Sequence, residues 1–211
     1  VLTTTDESGI AQLVRDAASG NASAQSELFS HYRDRLKRMV RLRLNRRLQG
    51  RVDDSDIIQE ALIEAARKLP DYAREPILPF YVWLRHLTGL KLVEIHRRHL
   101  GTKMRDAAME VSLHRGGLPG ANSMSLAAFL LGTMTSVSQA AIKAEKRLAL
   151  QEALNDMDPL DRELVAMKHF EQLTIDEMAQ ALEMPRSSVG RHYLRALKQL
   201  KAILQDLPEF Q

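Results

Sequence analysis

Arg186, Ser187, Ser188, Arg191, His192 and Arg195 crowd into one short stretch, and no acidic residue occurs between Arg186 and Leu204. At about 100° per residue, Val189, Tyr193, Leu197, Leu200 and Leu204 form one apolar stripe. Ser187, Ser188, Arg191, Arg195 and Lys198 fall on the opposite face. One face is suited to packing and the other to an anion. Thr174 to Leu182 reads as a short helix just upstream, and Glu183-Met184-Pro185 breaks it. Helix, tight turn and basic helix together predict a helix-turn-helix that presents arginines to DNA. The plain alternative is a solvated amphipathic hairpin.

A second group lies at Asp53-Asp54-Ser55-Asp56 and the helix it opens. Asp56, Glu60 and Glu64 recur at i, i+4 with Gln59 beside them. Three readings stay open on spacing alone: paired carboxylates for acid–base chemistry, a solvated helix face, or a docking ridge for a basic helix. Catalysis would need a cleft, a metal or a histidine nearby, and none accompanies the stripe.

The third group is aromatic and basic. Phe80, Tyr81 and Trp83 lead into Arg85, His86, Lys91, Arg97 and Arg98. Rings beside cations suit unstacked single-stranded bases, although Phe80, Trp83 and Leu87 also have core spacing. His96 and His99 lack a third ligand, so no metal site is predicted. No phosphate-cradling glycine loop or nucleophile motif is present, and neither a cofactor nor an enzymatic activity is expected.

The elements that position these groups are all helical. Ile10–Ala18 is a short helical candidate behind a frayed start. Residues 22–48 are periodic, with Leu28, Tyr32, Leu36, Met39 and Val40 on the apolar side. A helix from Asp53 should end at Leu69, because Pro70 to Pro79 holds three prolines. Phe80 to Leu100 is helical again. Asp158-Pro159 opens a helix to about Phe170, and Thr174 with Glu177 has capping-box spacing. Ser112 to Gln139 is rich in Gly, Ser and Thr and reads as a tether. Leu126–Leu131 within it is a short helix or an adhesive segment. The chain is therefore predicted to be all-α, with two helical domains on a long flexible linker: 1–21 an N-terminal segment, 22–105 and 141–211 the domains, 106–140 the linker.

The 211 residues have 45% hydrophobic composition and a net charge of +3. Charge is segregated rather than strong: 33–51 is basic and 152–177 acidic, which implies several partner surfaces. No cysteine is present. Disulfides and thiolate chemistry are excluded, and a reducing cytoplasm is the expected location. The longest apolar run is far too short to cross a bilayer, so no membrane insertion is expected.

In order and spacing, Asp56-Ile57-Ile58-Gln59-Glu60-Ala61, Phe80-Tyr81-Val82-Trp83-Leu84-Arg85, Asp158-Pro159-Leu160-Asp161-Arg162-Glu163-Leu164, Thr174 to Ala179 and Pro185 to Arg191 resemble bacterial RNA polymerase sigma factors. The similarity is to the small extracytoplasmic-function (ECF) type of the sigma-70 family and covers about 22–100 and 148–204. It implies a transcription initiation factor that directs core polymerase to promoters and assists melting. By resemblance, Asp53, Asp56, Gln59 and Glu60 meet the coiled coil of the largest polymerase subunit, and the C-terminal domain meets the flap. Trp83, Arg85, His86, Leu90, Lys91, Glu94, Arg97 and Arg98 belong to the surface that opens the −10 element. Arg186, Ser187, Ser188, Arg191, His192 and Arg195 belong to the −35 reader. An anti-sigma protein is a partner that such factors often have.

This chain departs from the family at Leu90, where asparagine is usual, at Glu94 (aspartate), at Glu183 (glycine in the turn, so strain is expected there) and at Gly190 (a basic residue). The rival from another class is a stand-alone helix-turn-helix regulator with an N-terminal sensor or dimerisation domain.

Overall fold

Short polar side chains open the helices. Asn21 Oδ1 accepts from the backbone N–H groups of Ser23 and Ala24 at 3.0 and 3.1 Å, and Asp53 Oδ1 accepts from Ser55 at 2.8 Å. Asp158 accepts from Leu160 at 2.8 Å, with Pro159 at the first helical position. Each satisfies a donor that the helix start leaves unpaired. The computed structural model describes residues 4–45, 47–100, 118–132 and 140–205. Among these it contains α1 (Thr4–Ala18), α2 (Ala22–Arg43), α3 (Asp54–Arg74), α4 (Phe80–Leu100), α5 (Ser123–Gly132), α6 (Ala140–Asp156), α7 (Pro159–His169), α8 (Ile175–Ala181) and α9 (Arg186–Gln205). No strand occurs among the described residues, apart from an isolated bridge between Gln49 and Val52.

Several boundaries differ from the sequence expectation. α1 starts at Thr4 rather than near Ile10, and its Val14 and Ala17 are buried. α2 stops at Arg43, and the chain turns through Gly50, whose φ of +84° suits glycine. α3 continues through Pro70 to Arg74. Proline deletes one backbone donor there, but Tyr72, two residues on, stacks on Trp83 at 4.5 Å. Its hydroxyl donates to Leu78 O at 2.8 Å. Tertiary packing of that ring carries the helix past its breaker.

The apolar core shows which helices pack together. Leu28, Leu36 and Met39 of α2, Ile57 and Leu69 of α3, and Leu84 and Leu92 of α4 are fully buried. The same cluster continues into Leu164 and Met167 of α7, Leu173, Met178 of α8 and Val189 of α9. Each such side chain contributes about 1.5–3 kcal/mol by leaving water. The first four helices and the last three thus share apolar contacts. A second cluster joins Leu42 to Leu126 and Leu131 of α5, Leu154 of α6, Val165 of α7 and Leu200 of α9. The adhesive segment of the tether is therefore α5, both helical and docked. Of the expected linker, 106–140, residues 106–117 and 133–139 lie outside the described residues.

α4 is covered on most sides, and His96 near its end is 3% exposed. Its Nε2 accepts from the Asn45 backbone N–H at 3.2 Å, which places the ring proton on Nδ1. Burial pushes its pKa from 6.5 down to about 4. The unfolded chain therefore binds the proton first as pH falls, and stability is lost through the window from 6.5 to about 4. We expect the thermal midpoint to fall more steeply over that window in the natural chain than in His96→Gln. Parallel pH profiles of the two by calorimetry would show that this histidine has no such role.

Candidate polymerase and promoter surfaces

The acidic ridge is built by a division of labour at the start of α3. Asp54 faces α2 and pairs with Arg41 and, at 3.9 Å, with Lys37. Asp53 is the cap, and the Ser55 N–H that it accepts holds its carboxyl below the ordinary range. With Asp54 committed inward, Asp53, Asp56, Gln59 and Glu60 remain exposed on one side. Glu60 lies 3.7 Å from Lys91 of α4. Glu64 pairs with Lys68 at 3.1 Å on its own helix. Ile63 is 48% exposed beside this ridge. The sequence reading passed over it, although its place three residues after Glu60 was a usable signal.

On α4, the aromatic trio divides. Phe80 and Tyr81 are buried, whereas Trp83 is half-buried, packed between Tyr72 and Phe80. At helical spacing Trp83, His86, Leu90, Glu94 and Arg97 share one side. All but Trp83 are exposed, and Leu90 is 45% open to solvent. Lys91 donates to Glu94 at 2.8 Å, and Arg98 donates to the same carboxylate at 2.6 Å. These bonds hold Lys91 above and Glu94 below their ordinary pKa values. Burial first, then the neighbouring Arg85, lowers the His86 pKa.

Arg85 does not join this face. It is 4% exposed, and its Nε donates to Glu171 Oε2 at 2.6 Å while Nη2 reaches Glu163 at 3.0 Å. Arg43 of α2, fully enclosed, donates to the other Glu171 oxygen at 2.5 Å and also to Glu163. Burial alone would raise the Glu171 pKa, but Arg43 and Arg85 bring it down to about 2. Neither glutamate was singled out from sequence. Glu163 lay within the quoted Asp158–Leu164 motif, and the only sign of Glu171 was membership of the acidic block that ends at Glu177.

The helix-turn-helix is α8, its turn and α9. Thr174 and Glu177 form the reciprocal capping box, at 3.1 and 2.7 Å. Glu183 in the turn has φ +52°, the left-handed conformation that favours glycine, so the expected strain is present. On α9, Arg186, Ser187 and Arg191 are exposed. Arg186 lies 3.1 Å from Asp176 of α8, and Arg191 donates to Ser188 at 3.3 Å. Arg195 and His192 are tied differently. Arg195 grips the fully buried Asp161 of α7 with two nitrogens and reaches Asp158 at 3.0 Å. His192 Nδ1 lies 2.9 Å from Asp161. These two side chains therefore brace α9 against α7, while Arg186, Ser187, Ser188 and Arg191 form the open end.

The model of the family described as "ECF sigma factor" matches residues 7–206, nearly the whole chain. The chain belongs to the ECF sigma factor family. This sigma factor is 20% identical to the ECF RNA polymerase sigma factor BldN of Streptomyces coelicolor over 201 residues, covering 95% of this chain and 68% of BldN. Its fold is similar to that of CnrH in a solved complex with the cytosolic domain of CnrY. That match has a TM-score of 0.56 at 19% identity and covers 92% of this chain and 96% of the other. Family membership makes the chain a non-enzymatic factor of promoter-directed transcription initiation by RNA polymerase. Among the described residues, no helix is long and apolar enough to cross a membrane.

Gly190 has no atom of another element near the position of an added Cβ. In this sigma factor Gly190→Ala should therefore stabilise α9 by about 1 kcal/mol. The expected reading is a rise in thermal midpoint of about 2–4 °C. A lower midpoint would show that the glycine answers a constraint within the fold.

Proposed function

We propose that this sigma factor grips core polymerase through the ridge Asp53, Asp56, Gln59 and Glu60, with the coiled coil of the largest subunit as its counterpart. The Trp83–Arg98 side of α4 takes the −10 element. Captured bases there offset the stacking lost on melting. The open end of α9 enters the major groove at the −35 element, and the C-terminal helices meet the flap. Arg191 is the side chain best placed to read a guanine, which offers two acceptors worth about 1–3 kcal/mol of discrimination. Ser187 and Ser188 lie at the helix start, where phosphate contact is natural. Arg195 acts as the brace that sets the helix angle. An anti-sigma protein is a further partner, and the cytoplasm, where polymerase works, is the place of action.

One observation carries this reading. The family match spans both the acidic ridge and the reader helix, and Asp54 is withdrawn from the ridge while its neighbours stay open. The test is run-off transcription with purified core polymerase on a library of genomic fragments. Reversing charge at Asp56 and Glu60 together should weaken core binding at least tenfold with helicity unchanged by circular dichroism. Normal pull-down of polymerase by that variant would remove the ridge from the interface. Arg191→Ala should cut transcription from a recovered promoter roughly tenfold and relax base preference at one −35 position. Unchanged promoter ranking would remove Arg191 from the readers.

A further inference from the structure

Ser187, Gly190, Arg191 and Leu194 follow one another at i, i+3, i+4 and i+7 along α9, which puts them on one side of the helix. The opposite side is spent on the fold, with Val189, Ala196 and Leu200 buried. Ser187, Arg191 and Leu194 are exposed. An added Cβ at Gly190 would meet no atom within 4 Å. From Ser187 to Leu194 the helix advances about 10 Å, close to the rise of about three base pairs. A helix laid in the major groove meets base edges with side chains at this spacing.

Leu194 stands apart on this side. It is 61% exposed, and no other large apolar side chain of α9 is exposed among the described residues. A lone exposed leucine is ordinary on a protein surface, so its surroundings must give it meaning. Arg191 lies three residues before it and the exposed Lys198 four residues after it. The chain has no acidic residue from Arg186 to Leu204. Asp158 and Asp161 of α7 engage Arg195 at the edge of this face. Gly190, one turn before Leu194, has no side chain to cover it.

An apolar group set among cations calls for a partner that offers an apolar group set among anions. The major groove of a duplex does so: phosphates line it, and thymine presents its C5 methyl there. A protein surface suited to this face would need an apolar pocket ringed by carboxylates. Arg191 and Leu194, at i and i+3, are neighbours on the helix surface. They therefore address bases that are adjacent or nearly so.

We propose that Leu194 is a specificity-determining residue that reads the C5 methyl of a thymine in the −35 element, within two base pairs of the base that Arg191 reads. The proposal rests on the sigma reading above and adds the base that the leucine selects. Packing that methyl against the leucine side chain removes both from water, a gain of about three- to fivefold in affinity for one buried methyl group. Ser187 and Arg191 supply polar contacts on the same face, and Leu194 supplies the one apolar contact.

Thymine and uracil pair alike and differ only by this methyl, so one can replace the other without altering base pairing. In a promoter recovered with core polymerase and the full chain, each thymine of the −35 element, on either strand, is replaced by uracil in turn. Run-off transcription is then measured below saturation. At one position uracil should lower transcription by about three- to fivefold. Leu194→Ala should lose about the same factor on the thymine template and respond less than 1.5-fold to uracil at that position, on the order expected once the methyl has no partner. The variant changes an exposed side chain, and its helicity by circular dichroism should match the parent's.

An equal response to uracil in the parent and in Leu194→Ala overturns the proposal. So does a −35 element in which no thymine responds. Loss in Leu194→Ala with no uracil response in either protein assigns the leucine to a protein partner and overturns it as well. Failure to recover any promoter would bring down the sigma reading and this proposal with it. The uracil comparison uses a promoter that already works, so its failure leaves the sigma reading standing.

Discussion

Two arginines and two glutamates, all buried but the partly exposed Glu163, decide the shape of this chain. Arg43 and Arg85 could not be buried singly, because an isolated charge in a low-dielectric interior costs several kcal/mol even after relaxation. They are buried because Glu163 and Glu171 arrive from the far half of the sequence with equal and opposite charge. The neighbouring arginines, Arg35 and Arg38, then collect the carbonyls of the turn that delivers Glu171. The guanidinium of Arg35 also lies 3.5 Å from the centroid of the Tyr81 ring. Basic and acidic blocks that looked like separate partner surfaces meet here, Arg43 with Glu163 and Glu171 and Arg35 with Glu177.

The same economy recurs at smaller scale. Asp54 is spent on α2, which leaves Asp53, Asp56, Gln59 and Glu60 facing outward as a ridge. Asp161 is spent on Arg195 and His192, which sets α9 against α7 and leaves Arg191 and the two serines at the open end. At each site one carboxylate committed to the fold fixes geometry and leaves exposed neighbours facing outward. A residue's chemistry is thus a poor guide to its role until its burial is known. Arg191 and Arg195 have the same side chain four residues apart, and only one of them is unbound to an acid of α7.

Much of this was legible in the residues. The apolar period of α2 and the caps at Asp53, Asp158 and Thr174 were readable because each depends on groups within one or two turns. The helix-turn-helix was readable for the same reason, down to the strain at Glu183. Where reading along the chain failed, a distant contact had outweighed a local signal. Pro70 should have ended α3, but the ring of Tyr72 found Trp83 and Phe80. Leu126–Leu131 stood out inside the tether as a short helix or an adhesive segment, but that it docks on Leu42 and the C-terminal helices was not readable locally.

By itself, then, the sequence determined that the chain is helical, where most helices begin, which faces are apolar, and that its motifs run in the order of an ECF sigma factor. Hydrogen bonding and side-chain periodicity over a few residues suffice for that. Only the tertiary structure decided that Arg85 lies inside while His86 lies outside, that Glu171 is the keystone, and that Leu118 of the tether seats on Gly89. Those outcomes turn on groups far apart in the chain, 128 residues for Arg43 and Glu171. Their energies exist only when folding has removed the water between them.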